Sequence, residues 1–301
     1  MTSATKARLL ALAALPLLAI NIARADARAA ATSPAVPVAL PHISITAIGR
    51  GSPVVLIPGL SSPRAVWDGI APELARTHRV ILVQVNGFAG DAPGANLAPK
   101  LLDGVVEDLA GYLKAQKLGP ADVIGHSMGG LATLMLAHAH PDAVRRLMIV
   151  DALPFVGELF APGATVAQLE PQAAAMRDQM AAGYGKPNPA GAAMAQRMAL
   201  KPDSQRKVLA WMTAADARVV ARAFYDDMIT DVTPTLPGFQ APITLLYPYG
   251  GPVSQEQAGA LYRRAYATAP HIRFVPVADS GHFAMLDQPA AFAAAVHDFL
   301  R

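Results

Sequence analysis

The sequence predicts an α/β fold: a mostly parallel central sheet flanked by helices, with a helical cap inserted after the strand that ends at Asp151. Three observations predict it. Short wholly apolar runs, which suit strands buried on both faces, alternate with segments of helical periodicity. The alternation is interrupted once, over residues 155–235, by a stretch rich in Ala, Met and Gln with helical spacing and no strand candidate. Hydrophobic residues make up 53% of the 301-residue chain and charged residues 16%, enough apolar surface to cover a sheet and too little charge for disorder.

The elements follow in order. His42 to Ile48 alternates apolar and polar, and Gly49-Arg50-Gly51-Ser52-Pro53 turns it into the apolar run Val54 to Ile57. Ser62 to Arg76 has helical spacing, with Pro63 near its start. Val80 to Val85 is a second buried strand. Lys100 to Leu118 is an amphipathic helix with Leu101, Val105, Leu109 and Leu113 on one face, ended by Gly119-Pro120. Asp122 to Ile124 is a strand running into Gly125-His126-Ser127-Met128-Gly129-Gly130 and an apolar helix to His138. Arg146 to Val150 is the next strand. After the cap come a strand at Ile243–Tyr247, a helix at Gln255–Tyr266, a strand at Ile272–Val277 and a helix at Pro289–Leu300. Strands alternating with helices call for parallel pairing and right-handed crossovers. The sheet domain is therefore expected over residues 42–154 and 236–301, and the cap over 155–235.

The N-terminus has the layout of a secretory signal: Lys6 and Arg8, then the apolar run Leu9 to Ile20, then Ala23-Arg24-Ala25 and Ala25-Asp26-Ala27 as sites a signal peptidase reads. A signal peptide is expected over residues 1–27, an Ala- and Pro-rich linker over 28–41, and a periplasmic or secreted protein with no membrane span once the signal is removed. The apolar run is short of the roughly 20 residues a bilayer span needs. The net charge of +3 includes Lys6, Arg8 and Arg24, so the rest is near neutral and gives no case for nucleic acid. With no cysteine, the chain has neither disulfides nor a thiolate nucleophile or metal ligand.

Gly125-His126-Ser127-Met128-Gly129 fits G-x-S-x-G between an apolar strand and an apolar helix, the context that gives the pattern meaning. The serine must stand on a tight strand-to-helix turn, where its neighbours two before and two after come too close for side chains. The next N–H, that of Met128, faces the same place from the helix N-terminus and can stabilise an oxyanion.

These residues carry a family resemblance. With Gly59-Leu60 after the first long strand, Trp67, Gly125 to Gly130, and Ser280-Gly281-His282-Phe283 before the last helix, the chain resembles the α/β-hydrolase superfamily over nearly all of residues 43–300, in particular its capped serine esterase and aminopeptidase-like branch. The resemblance implies Ser127 as nucleophile, and His282, on the loop after the final strand, as its base. It implies a second oxyanion donor in the N–H of Leu60, although Pro58 stands where the family has histidine. It also implies an aspartate after the strand Ile243–Tyr247, where this chain has Gly251. The alternative position known in the superfamily, at the end of the strand after the nucleophile helix, holds Asp151. Asp279, or a weak or absent acid, are the other readings.

The resemblance implies an ester or lactone hydrolase with no metal or organic cofactor. Its cap methionines (Met176, Met180, Met194, Met198, Met212 and Met228) suit an apolar acyl or alkyl ester, although helix-face methionines are more often core. An amidase or aminopeptidase with the same triad is the alternative. Glu158, Asp226 or Asp227 would then face the substrate ammonium; otherwise Asp226 and Asp227 are expected to be solvated. A non-catalytic binding protein on the same fold is the reading from another class.

Overall fold

The computed structural model describes residues 37–160 and 163–301. The expected signal peptide lies outside them, as does most of the expected linker. The end of that linker joins the sheet: Val38–Ala39 (β1) pairs antiparallel with Ile43–Ile48 (β2).

The remaining strands are Ser52–Ile57 (β3), His78–Val85 (β4), Ala121–His126 (β5), Val144–Val150 (β6), Ile243–Pro248 (β7) and Ile272–Val277 (β8), in spatial order β1-β2-β4-β3-β5-β6-β7-β8. β2 runs antiparallel to β4, and every pair from β4 to β8 is parallel. This is the α/β-hydrolase fold that the sequence predicts. The apolar runs are continuous because both faces are covered. In β3, Val55 and Ile57 face one core while Val54 and Leu56 face the other; in β4, Ile81, Val83 and Val85 oppose Val80 and Leu82.

The expected helix Ser62–Arg76 is broken. It is a 3-10 turn at Arg64–Trp67 and a short helix α1 at Ala71–Leu74, with Gly69 between them and Pro63 and Pro72 each opening a turn. Leu101–Ala115 (α2) and Met128–Ala139 (α3) cover one sheet face. Trp67, 0% exposed, covers the other beside the final helices.

Between β6 and β7 lie Val166–Ala181 (α4), Gly191–Met198 (α5), Pro202–Ala214 (α6) and Ala217–Ile229 (α7). α4 packs along α7 and α5 along α6. Val219 and Ala223 of α7 join the core beneath α2, whereas Ala195 and Val208 join the opposite one, so the insertion grips both sides of the sheet's edge. The loop after β4 anchors it too: the Asp216 N–H donates to the Gly87 carbonyl at 2.7 Å. Gln255–Ala265 (α8), Ala284–Asp287 (α9) and Pro289–Leu300 (α10) complete the chain. Among the described residues no helix is long and apolar enough to cross a membrane.

Candidate active site

Parallel strands bring their carboxyl ends to one edge, and open α/β sheets bind ligands there. Leu60 follows β3, Ser127 follows β5, Asp151 follows β6 and His282 follows β8, so the topology alone gathers these residues.

Ser127 occupies the sharp turn from β5 into α3 with φ 55° and ψ −127°, a region costly for a residue with a side chain. Its N–H donates to the Val150 carbonyl at 3.0 Å, which ties the turn to β6. The flanking glycines are required by contact: a Cβ on Gly125 would lie 2.1 Å from the Gly129 carbonyl oxygen, and one on Gly129 would lie 2.4 Å from that of Ile57. Gly59 meets the serine from β3, where a Cβ would fall 2.9 Å from the Ser127 Cβ. Leu60 comes next, and the Ser62 N–H closes a turn around it onto the Gly59 carbonyl at 3.1 Å. The Met128 N–H, first in α3, has no intrahelical acceptor to reach. Ser62 caps no helix; its hydroxyl donates to the Leu60 carbonyl at 3.4 Å.

The structure brings Asp151 to His282. The His282 Nδ1–H donates to Asp151 Oδ2 at 2.6 Å, and the Tyr262 hydroxyl, from α8, donates to Oδ1. Burial on its own would raise the Asp151 carboxyl, but the His282 imidazole and the Tyr262 hydroxyl more than offset it and hold the group below its ordinary value. Burial and the neighbouring carboxylate push the Tyr262 phenol well above its usual range, so it stays a donor. The position after β7, where the family pattern would put the acid, carries Gly250 and Gly251 in a turn closed by a bridge from Gly250 to Val253.

Two devices set the His282 loop. His126 is 0% exposed, and burial followed by the proximity of His282 drives its imidazole down to about 3, so it is neutral. Its Nε2–H donates to the His282 carbonyl at 2.9 Å, and its ring lies 4.5 Å from the His282 ring. Asp287, also 0% exposed, accepts the Gly281 N–H at 2.9 Å together with the N–H groups of Leu200 at 2.9 Å and Lys201 at 3.2 Å, between α5 and α6.

Ser127, Met128, Asp151, Tyr262 and His282 line one cavity of about 250 Å³, with Ala152, Leu153, Val156 and Leu159 as its apolar wall. Asp227 faces the same cavity. The expectation of solvation is corrected for Asp226, which is buried and accepts the Leu102 N–H at 3.1 Å; Asp227 is half-buried on the cavity wall, and the water it loses there pushes its carboxyl up to about 7. Both lie on the inner side of α7, where the helix packs on the sheet domain. A second cavity of about 1120 Å³ opens beside Ser61 and Asp91. Met180, Met194 and Met212 line it, whereas Met228 is buried.

Sequence reasoning missed Tyr262, Asp287 and the service of His126. The comparisons fit the geometry. The model of the alpha/beta hydrolase family matches residues 54–295, and the chain belongs to that family. Over 112 residues it is 36% identical to a pimeloyl-[acyl-carrier protein] methyl ester esterase of Aeromonas hydrophila, a segment covering 37% of this chain and only 42% of that enzyme. It is 27% identical over 255 residues to an N-formylmaleamate deformylase of Pseudomonas putida, covering 84% of this chain and 90% of that one. A thermophilic esterase from Thermogutta terrifontis superposes with a TM-score of 0.73 at 23% identity, covering 89% of this chain and 98% of the other, a likeness of fold.

Proposed function

We propose that the chain is a serine hydrolase that cleaves a small carboxylic ester or lactone through an acyl-enzyme. The observation that carries this reading is the 2.6 Å bond from His282 Nδ1 to Asp151 on the wall of the cavity that holds Ser127. A carboxylate only accepts, so the proton sits on Nδ1 and leaves the Nε2 lone pair free to act as base. Ser127 Oγ attacks the carbonyl carbon as His282 Nε2 takes its proton. The oxyanion is held by the N–H groups of Leu60 and Met128, which cost no reorganisation because the turn and the helix start already fix them. His282 returns the proton to the departing alcohol. Water then repeats the sequence on the acyl-serine and releases the acid.

The two relatives, a methyl ester esterase and an N-formylmaleamate deformylase, lie on either side of the ester–amide choice. The apolar wall of Leu153, Val156 and Leu159, and the methionines of the larger cavity, favour an apolar acyl or alkyl group. The test is hydrolysis of p-nitrophenyl esters from acetate to palmitate by wild type and Ser127→Ala. Turnover that disappears with Ser127 supports the reading. Turnover that survives in Ser127→Ala, or failure of folded wild type to take a fluorophosphonate label, overturns it.

We propose further that residues 1–27 direct export, on the strength of Lys6, Arg8 and the apolar run to Ile20. N-terminal sequencing of the periplasmic form tests this. An N-terminus still carrying Leu9 to Ile20 would sink it.

A further inference from the structure

Asp151 follows β6 with φ 50°, in the left-handed region, and its N–H donates to the Leu246 carbonyl at 2.8 Å. Its side chain is only 13% exposed, so the carboxylate has given up most of its water and is held by the donors it meets. His282 Nδ1–H serves Oδ2 at 2.6 Å. Among the described residues no main-chain N–H reaches Oδ1, and the Tyr262 hydroxyl is its donor.

Tyr262 stands on α8 one helical turn before Tyr266, and the two reach the end of β6 together. The Tyr266 hydroxyl donates to the Ala152 carbonyl at 2.9 Å, next along the chain from the acid. Both tyrosines are buried, and the Tyr262 ring packs on that of Tyr247 in β7 with centroids 5.4 Å apart, which fixes where its hydroxyl falls. Packing alone would be met by phenylalanine. The hydroxyl has an electrostatic effect as well: an O–H directed at one carboxylate oxygen draws charge from the other, because the two share it. The remaining titratable groups nearby do not bond this carboxylate. His126 of β5 is neutral and donates to the His282 carbonyl, Asp227 of α7 shares the cavity wall with His282, Tyr266 meets an uncharged carbonyl, and Arg264 of α8 pairs with Glu158.

Resting on the hydrolytic reading above, we propose that Tyr262 is a positioning residue of the triad: its hydroxyl fixes the Asp151 carboxylate and, by drawing charge from it, tempers its pull on the proton of His282 Nδ1. Tyr262 acts through Asp151 and makes no bond to the reacting atoms.

The experiment changes the donor in two opposite directions. Tyr262→Phe removes the hydroxyl and keeps the ring. A 3-fluorotyrosine placed at position 262 keeps the size and is a stronger donor. Two quantities are read for each: the pH profile of kcat/KM on a p-nitrophenyl ester, and the proton NMR signal of the hydrogen between His282 Nδ1 and Asp151. Tyr262→Phe should move the acid limb of the profile to higher pH by roughly half to one unit, part of the about one to two units that a hydrogen bond is worth to the charged group it touches. It should move the bridging proton downfield, and lower kcat by about tenfold or more with KM little changed, because the freed carboxylate no longer holds the imidazole in place. Fluorotyrosine should move the acid limb and the bridging proton the other way. Tyr266→Phe should lower the melting temperature and leave both readings where they are. Readings that stay fixed in both Tyr262 substitutions, or that move in the same direction in both, overturn the proposal, as does Tyr266→Phe moving them equally far. If Tyr262→Phe fails to fold, fluorotyrosine decides alone, and an unmoved or reversed shift there overturns the proposal. The NMR signal needs no turnover, so opposed shifts in a protein that hydrolyses no ester would keep the role of Tyr262 and overturn the hydrolytic reading.

Discussion

Replacing Asp227 by asparagine should make the protein more stable in a pH-dependent way, whatever the substrate is. Loss of water on the cavity wall moves the carboxyl from its ordinary value of 3.8 up to about 7, with His282 opposing the shift and Asp226 adding to it. Each unit corresponds to about 1.4 kcal/mol between the protonation states, so the ionised group lowers folding stability by at most about 4 kcal/mol. The sign follows from linkage: the folded state holds the proton more tightly than the unfolded chain does. Below about pH 4 the carboxyl is protonated in both states and there is no penalty. Between about 4 and 7 the unfolded chain ionises first and the penalty grows; above that it is constant. Asparagine is neutral throughout. The stability difference between Asp227→Asn and wild type should therefore rise from pH 4 to pH 8, reaching a few kcal/mol, or several degrees at roughly 2 °C per kcal/mol for a domain of this size. Urea denaturation of both proteins at matched pH values measures it, since acid effects common to both cancel in the difference. A difference that is flat across this window, or that favours wild type at pH 8, would refute the argument.

Two further outcomes follow from contacts. Asp151→Asn should fold normally yet lose on the order of a thousandfold or more in kcat, because an amide can present a donor to His282 Nδ1 and favour the wrong tautomer; circular dichroism with steady-state kinetics checks this, and near-full activity would exclude Asp151 as the acid. Asp287→Ala strands three N–H groups at a site with 0% exposure, so it should lower stability by roughly 2–5 kcal/mol and reduce kcat by freeing the His282 loop; a normal melting temperature would show that water replaces the carboxylate.

What the sequence discloses, and what it withholds, follows from how local each constraint is. The strands are legible because β3, β4, β5 and β6 are buried on both faces and each carries a short apolar stretch, Val54–Ile57, Val80–Val83, Val123–Ile124 and Leu147–Val150. The turn at Ser127 is legible because its pattern is contiguous in sequence; the Gly125 clash is local, with Gly129, although Gly129 itself meets the distant Ile57 carbonyl. Asp151 can be reached from topology, since it ends a strand whose neighbour carries the serine. Tyr262 cannot be reached this way. Its partner is 111 residues away, and at helical spacing on α8 it looks like any core tyrosine. Asp226 and Asp227 are misread for a related reason: adjacent acids late in an amphipathic helix usually face water, and only the docking of α7 against α2 turns them inward. The long helix expected from Ser62 to Arg76 fails because periodicity outlasts the hydrogen bonding that Pro63, Gly69 and Pro72 interrupt.

The three hydrogen bonds that Asp287 accepts have a consequence for protein engineering. Three of its four members contribute only main chain, so selection can read the side chain of Asp287 but not the identities of Leu200 and Lys201. Those two positions should accept every residue except proline, which has no N–H to give. Position 281 is held to glycine for a different reason, since a Cβ there would come 2.7 Å from the Met198 carbonyl oxygen. A cap transplanted from another member of the family would therefore align well and still disturb the histidine unless its α5–α6 corner arrived in register with residue 287. Chimera design should score that corner by backbone superposition and leave sequence similarity aside.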